Sequence, residues 1–279
     1  MRRIGSLFFV LLLSTLVCIS QVAPQSIESE INAKHPAPPL LVLFEFSVWS
    51  KVSGDMPAFV LYEDGTVIYN GAKEAGSYQH FTVKLSPDEI TALLKAVQSE
   101  KFDSYAKLYT NTDRVAVSDL PSPFVMLRQK DGKYKQIRTY GSLGEGANPD
   151  YRVLNMPESL RSAFIYLWKY EHPKATAWKS DFAELVLWEY DGDSKRNVTF
   201  PKIDDRYKLS FRDGDEQFCS IFFTESNEKL YATAYWKARR KNAALKMDGK
   251  RWDFQLRFPF PWERVWMGGD DGKIFRDGR

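Results

Sequence analysis

Cysteine and histidine are scarce in this 279-residue sequence, which has two of the first and three of the second. The histidines, His35, His80 and His172, are far apart, and neither a His-x-x-x-His nor a Cys-x-x-Cys pair occurs. A conventional zinc site is therefore not expected. Charge of one sign is also lacking. Lys plus Arg number 39 against 36 Asp plus Glu, a formal charge of +3, too small to point to a nucleic-acid partner. The N-terminal apolar run, Leu7 to Ile19, is 13 residues, short of the roughly 20 that a spanning helix needs. What is present is ordinary for a globular chain: 44% hydrophobic and 27% charged residues. That balance argues against both disorder and a polytopic membrane protein. The length suggests about two domains.

Arg2 and Arg3 precede the apolar run, and Ser20-Gln21-Val22-Ala23 follows it. Positive charge, a short apolar stretch and then small residues form the pattern of an export signal, with cleavage expected after Ser20. The alternatives are an uncleaved anchor and a lipid anchor on Cys18. Cleavage removes Cys18 and leaves Cys219 without an internal disulfide partner. Cys219 lies in the apolar run Phe218–Phe223 and reads as a buried, inert thiol. The expected destination is periplasmic or extracellular.

The expected organisation is a signal over 1–20, a Pro-containing linker over 21–39, α+β domains over 40–172 and 173–267, and a frayed tail over 268–279. A largely buried strand is expected from Leu40 to Trp49. Asp64-Gly65, Asp131-Gly132 and Asp248-Gly249 sit between β-rich segments and predict hairpins. Ser86-Pro87-Asp88-Glu89 combines an N-cap, Pro at the first helical position and Glu three residues past the cap. Ile90, Leu93, Leu94 and Val97 then share one helical face, in a helix expected to reach about Glu100. A second helix is expected from Pro157, capped by Asn155 or Glu158, with Leu160, Phe164, Leu167 and Trp168 inward. A third spans about Glu225 to Arg240. Hairpin, helix and hairpin thus recur in two similar halves. The fold class is α+β: antiparallel sheets with helices packed on one face.

No catalytic residue, metal site or cofactor follows from the motifs. Gly141-Ser142-Leu143-Gly144-Glu145-Gly146 lacks the Gly-Lys-Ser/Thr ending and the immediate helix of a phosphate loop, and reads as a connection. Asp191, Asp193, Asp213, Asp215, Asp270 and Asp271 do not make the spaced loop of an EF-hand. Lys237, Arg239, Arg240 and Lys241 end the third helix, where cations complement its dipole. Trp236, Trp252, Trp262 and Trp266 crowd the C-terminal part beside Phe258-Pro259-Phe260-Pro261. They are the binding candidates, as a stacking platform for a glycan or peptide. The competing reading is a core and a clasp across the sheet edge.

Leu61-Tyr62-Glu63-Asp64-Gly65-Thr66-Val67, Ser86-Pro87-Asp88-Glu89, Phe102-Asp103-Ser104 and Ser118-Asp119-Leu120-Pro121 together resemble an uncharacterised family of bacterial exported proteins, a domain of unknown function. The resemblance covers roughly residues 57–170 and, more loosely, 230–262, where Asp248-Gly249-Lys250-Arg251-Trp252 and Arg257-Phe258-Pro259 match. It implies export and no established activity. The resulting expectation is a non-enzymatic binding module at the cell envelope, with a protein or glycan partner, no nucleic acid, and no membrane contact beyond the signal. A glycan-binding module and a hydrolase with a spatially assembled carboxylate pair are the alternatives.

Overall fold

The computed structural model describes residues 27–35, 37–46, 57–71, 79–110, 120, 122–143, 152–153, 155–190, 192, 196–213, 216–224 and 228–267. The expected signal, residues 21–26 and 36 of the expected linker, and the tail lie outside the described residues. So do 47–49 of the first expected strand and 144–146 of the glycine-rich segment. The rest of that linker is helical over Ile27–Lys34 and enters the first strand at Pro39.

Two mostly antiparallel sheets with a few helices make an α+β fold. The first has eight strands: β1 (Pro39–Phe46), β2 (Phe59–Tyr62), β3 (Thr66–Gly71), β4 (Gln79–Lys84), β5 (Leu108–Thr110), β6 (Ser122–Arg128), β7 (Tyr134–Tyr140) and β8 (Thr176–Ala177). Their spatial order is β5-β7-β6-β1-β2-β3-β4-β8. The second sheet comprises β9 (Ala183–Glu189), β10 (Asn197–Thr199), β11 (Lys208–Asp213), β12 (Glu216–Phe223), β13 (Ala244–Met247) and β14 (Lys250–Arg257). Its order is β10-β13-β14-β9-β12-β11. In each sheet the first strand of its half, β1 or β9, lies between two hairpins, and a short strand pairs in parallel with the outer strand of one hairpin. The path differs. β1 pairs with the first strand of each hairpin and β9 with the second. The halves share a plan and differ in connection.

The turns follow from local chemistry. Asp248 and Gly249 both have positive φ, 51° and 78°, as the two-residue turn between paired Met247 and Lys250 requires. Asp64 accepts from Thr66 N–H at 2.9 Å while Gly65 takes φ 85°. Helix α2 (Pro87–Ala96) starts with the full capping box. Ser86 Oγ accepts from Glu89 N–H at 3.3 Å, and Glu89 Oε2 accepts from Ser86 N–H at 2.7 Å. The helix stops earlier than Glu100. Gln98 turns left-handed at φ 53°, and a 3-10 turn, Ser99–Ser104, carries the chain on.

Helix α3 (Glu158–Trp168) departs from expectation at both ends. Pro157 is its N-cap, with no side-chain cap. Arg161 supplies order there instead. Buried, it donates to the carbonyls of Leu143 and Val153 and so ties the chain after β7 to the helix. Trp168, expected inward, is 45% exposed at the last position of the helix. Helix α4 (Glu228–Lys241) covers the second sheet with Tyr231, Ala234, Tyr235 and Ala238.

The first sheet is buried on both faces. Leu41, Leu43, Phe59, Leu61, Val67, Val125 and Leu127 meet α2 and α3. Val42, Phe44, Val60, Tyr62, Ile68, Phe124 and Met126 meet Phe260 and Trp266. Double burial explains why β1 and β2 are continuous apolar runs instead of alternating ones. The cover is a strap, Pro259 to α5 (Arg264–Met267), that returns from the second sheet. It is held where Tyr62 O–H donates to Pro261 O at 3.1 Å and Trp262 Nε1 donates to His35 O at 2.7 Å. Asn32 of α1 (Ile27–Lys34) accepts from Trp262 N–H at 2.6 Å. The aromatic clasp thus covers a sheet face, where the sequence suggested an edge.

Candidate functional site

The four tryptophans do not form one platform. Trp252 and Trp266 are 3% and 0% exposed. Trp252 belongs to the second sheet's core and donates Nε1 to Met247 O at 3.2 Å. Trp262 is half-buried in the strap. Only Trp236, at 52%, presents a face to solvent. A stacking site needs two or more open faces, so this set is corrected to three tryptophans that hold the fold and one on the outer face of α4.

The fold does assemble two carboxylates. Glu184 of β9 and Glu263 of the strap both pair with Arg257 Nη2, at 2.6 and 2.5 Å. Glu263 also accepts from Phe260 N–H at 2.6 Å. Two acids on one buried guanidinium leave a negative charge in excess. Burial, and Glu184 beside it, raise the Glu263 carboxyl to about 7 against the pull of Arg257. All three side chains are enclosed, so the cluster fixes the strap to the second sheet and has no room for a sugar between its acids.

His80 is buried and meets Trp178 and Phe260 edge-on, at centroid distances of 5.9 and 5.0 Å. Burial lowers its pKa to about 4. It is a packing residue. Cys219 is buried in the second core. Among the described residues no three His, Cys, Asp or Glu side chains converge in a way that could hold a metal.

The strongest candidate is a cavity of about 260 Å³ that the sequence did not single out. Glu45 of β1, Pro123 of β6, the Gly141–Leu143 segment and Phe164, Ile165, Trp168 and Lys169 at the end of α3 line it. Strand alternation puts Glu45 on the face of Leu41 and Leu43, beneath α3. Thr139 Oγ1 holds Pro123 O at 3.1 Å, and Arg161 pins Leu143, so the walls are fixed. The carboxyl of Glu45 is half-buried, and burial raises its pKa. No hydrogen bond or ion pair reaches it among the described residues. Among the described residues, those lining the hollow include no second acid, histidine or cysteine. They offer an apolar hollow, one hydrogen-bond-accepting anion at its side, and an open indole and a cation near its mouth. The sequence signal was faint: a single Glu in the otherwise apolar Leu40–Phe46 run.

The fold and these sites define a two-sheet α+β protein with a small preformed binding hollow and a buried ionic anchor. Residues 56–157 match the model of a family described as a domain of unknown function (DUF6438). No curated protein and no solved structure matches the chain. The matched segment runs from β2 to the start of α3. Strand β1, which fills the place between β2 and β6, lies outside it, as do Glu45, α3 and the strap.

Proposed function

We propose that the protein is an exported, non-enzymatic binding module of the cell envelope, and that the cavity at Glu45 receives its partner. The observation that carries this reading is the half-buried carboxyl in an apolar hollow, without a partner among the described residues. A buried charge without a partner is costly, and a cation or donor entering beside it recovers that cost. The fitting ligand is a Lys or Arg side chain, with its aliphatic stem against Phe164 and Ile165 and its neighbour residue against Trp168. The partner is therefore a protein or peptide. Export rests on Arg2, Arg3 and the Leu7–Ile19 run. N-terminal sequencing of protein recovered outside the cytoplasm should begin near Gln21, and an intact Met1 there would refute cleavage.

The test is a panel of short fluorescent peptides carrying Lys or Arg beside an aliphatic residue, titrated against the wild type and Glu45→Gln. The wild type should select cationic members over Gln-substituted ones, and Glu45→Gln should weaken them about tenfold or more. Binding should also fade as acid protonates Glu45. Equal binding by both proteins, or preference for the uncharged peptides, would overturn the reading.

A further inference from the structure

The outer face of α4 gathers cations: its first turn holds Glu228 and Lys229, and Lys237, Arg239, Arg240 and Lys241 follow in its last two turns. Lys229, Lys237, Arg240 and Lys241 surround Trp236 above a floor of Ala232 and Thr233, in a shallow hollow of about 550 Å³. No ion pair to any of these cations, or to Arg239, occurs among the described residues. The helix dipole accounts for Arg239, Arg240 and Lys241 in the last turn. It does not account for Lys229, which stands in the first turn, where a cation is disfavoured. Trp236 and Leu230 are 52% and 54% exposed while Tyr231, Ala234, Tyr235 and Ala238 fill the inner face; Trp236 keeps one edge on Tyr235 and leaves the rest of its ring to solvent.

We infer that this face docks on an anionic phospholipid surface. Among the described residues, every one lining the hollow comes from α4, and none supplies an opposite wall. A small soluble anion would remain half solvated there, whereas a flat anionic layer meets all the cations at once. Lys and Arg reach the headgroups on flexible stems, and the indole of Trp236 sits at the level of the headgroup boundary, the depth that tryptophan favours. Leu230 adds apolar area at one flank. The low net charge of the chain conceals this face, because α4 carries one acid, Glu228, against Lys229, Lys237, Arg239, Arg240 and Lys241. It lies on the second sheet's helix and does not include Glu45.

The experiment is co-sedimentation of the full chain with vesicles of phosphatidylcholine alone and of phosphatidylcholine mixed with phosphatidylglycerol. The phosphatidylcholine arm corrects for the N-terminal apolar run. Each cation near such a surface contributes roughly fivefold in affinity. Lys237→Gln with Arg240→Gln should therefore lower partitioning to anionic vesicles by more than about tenfold. Brominated lipid should quench the wild type more than Trp236→Phe. Both variants alter exposed positions, and unchanged circular dichroism and melting confirm the fold. Glu45→Gln should bind vesicles like the wild type, so this inference and the peptide site fail separately. Equal partitioning of wild type and double variant would overturn the inference. So would equal binding to both vesicle types, or binding to soluble DNA or heparin with the anionic vesicles ignored.

Discussion

Replacing Trp266 by alanine tests whether the strap holds the first sheet. The indole is fully buried against a face built from Val42, Phe44, Val60, Tyr62, Ile68, Phe124 and Met126. A tryptophan buries about 200 Å². At roughly 25 cal/mol per Å² this is about 5 kcal/mol. Contacts kept in the unfolded chain reduce it by about 10–40%. The expected loss is about 3–5 kcal/mol, in line with aromatic-to-alanine changes in cores. One term works the other way. Trp266 Nε1 is buried without a hydrogen-bond partner, which costs roughly 1–3 kcal/mol in the native protein. Trp266→Phe removes that donor and most of the ring stays, so it should cost less than about 1.5 kcal/mol. Trp236→Ala, at a ring that is 52% exposed and meets Tyr235 edge-on, should cost half as much or less, roughly 1–2 kcal/mol. Urea titration followed by circular dichroism gives all three. A loss below about 1 kcal/mol for Trp266→Ala, or a loss at Trp236 equal to it, would refute the placement of the strap.

Three further outcomes follow from named contacts. In α2, Ser86→Ala should cost about 1 kcal/mol and Leu93→Ala about 2–5 kcal/mol; half-buried Leu94 should cost less than Leu93, and exposed Lys95→Ala under about 0.5 kcal/mol, a ranking that denaturant melts will confirm or reverse. Two buried groups, His80 of β4 against Phe260 of the strap and Glu263 on the strap itself, oppose each other in pH. His80, depressed to about 4, makes the folded state bind fewer protons than the unfolded one below the ordinary 6.5, so its contribution, on the order of 3 kcal/mol, is lost as pH falls through that window. Glu263, raised from 4.5 to about 7, makes the folded state bind more protons, so stability falls as pH rises through its window. His80→Gln should therefore lose stability as pH rises from 4.5 to 7 relative to the wild type, and Glu263→Gln should lose it as pH falls from 6.5 to 4; parallel profiles in thermal melts would sink both assignments. The Cys219 thiol should label slowly in the native protein and quickly in denaturant, and fast native labelling contradicts its burial.

The features legible in the sequence were those made by neighbours in the chain. Gly65, Gly132 and Gly249 all adopt the positive φ that an Asp-Gly turn needs, and the Ser86–Glu89 box forms as its four residues prescribe. The hidden features depend on residues far apart. Nothing in the Leu40–Phe46 run says that β1 inserts between β2 and β6, or that residues 259–267 return to cover it. The strap residues read as a tryptophan cluster in sequence, and only their contacts separate three structural rings from exposed Trp236. α3 starts at Pro157 with no side-chain cap, and Arg161 orders the preceding chain through carbonyls at Leu143 and Val153, a longer-range device with no local signature. Glu45 was invisible for the same reason. Its role comes from α3, more than 110 residues later in the chain.

The protonation of Glu45 tests the functional account most directly. Carbon NMR of the chain labelled at glutamate carboxyls, with Glu45→Gln supplying the assignment, follows its titration. The account predicts a midpoint above the ordinary 4.5 in the free protein, because the carboxyl is half-buried and has no partner among the described residues. A bound cationic peptide should then pull that midpoint down, since a cation beside the carboxyl favours its charged form. A midpoint at or below 4.5 without ligand, or one that the peptide leaves unmoved, would contradict the account.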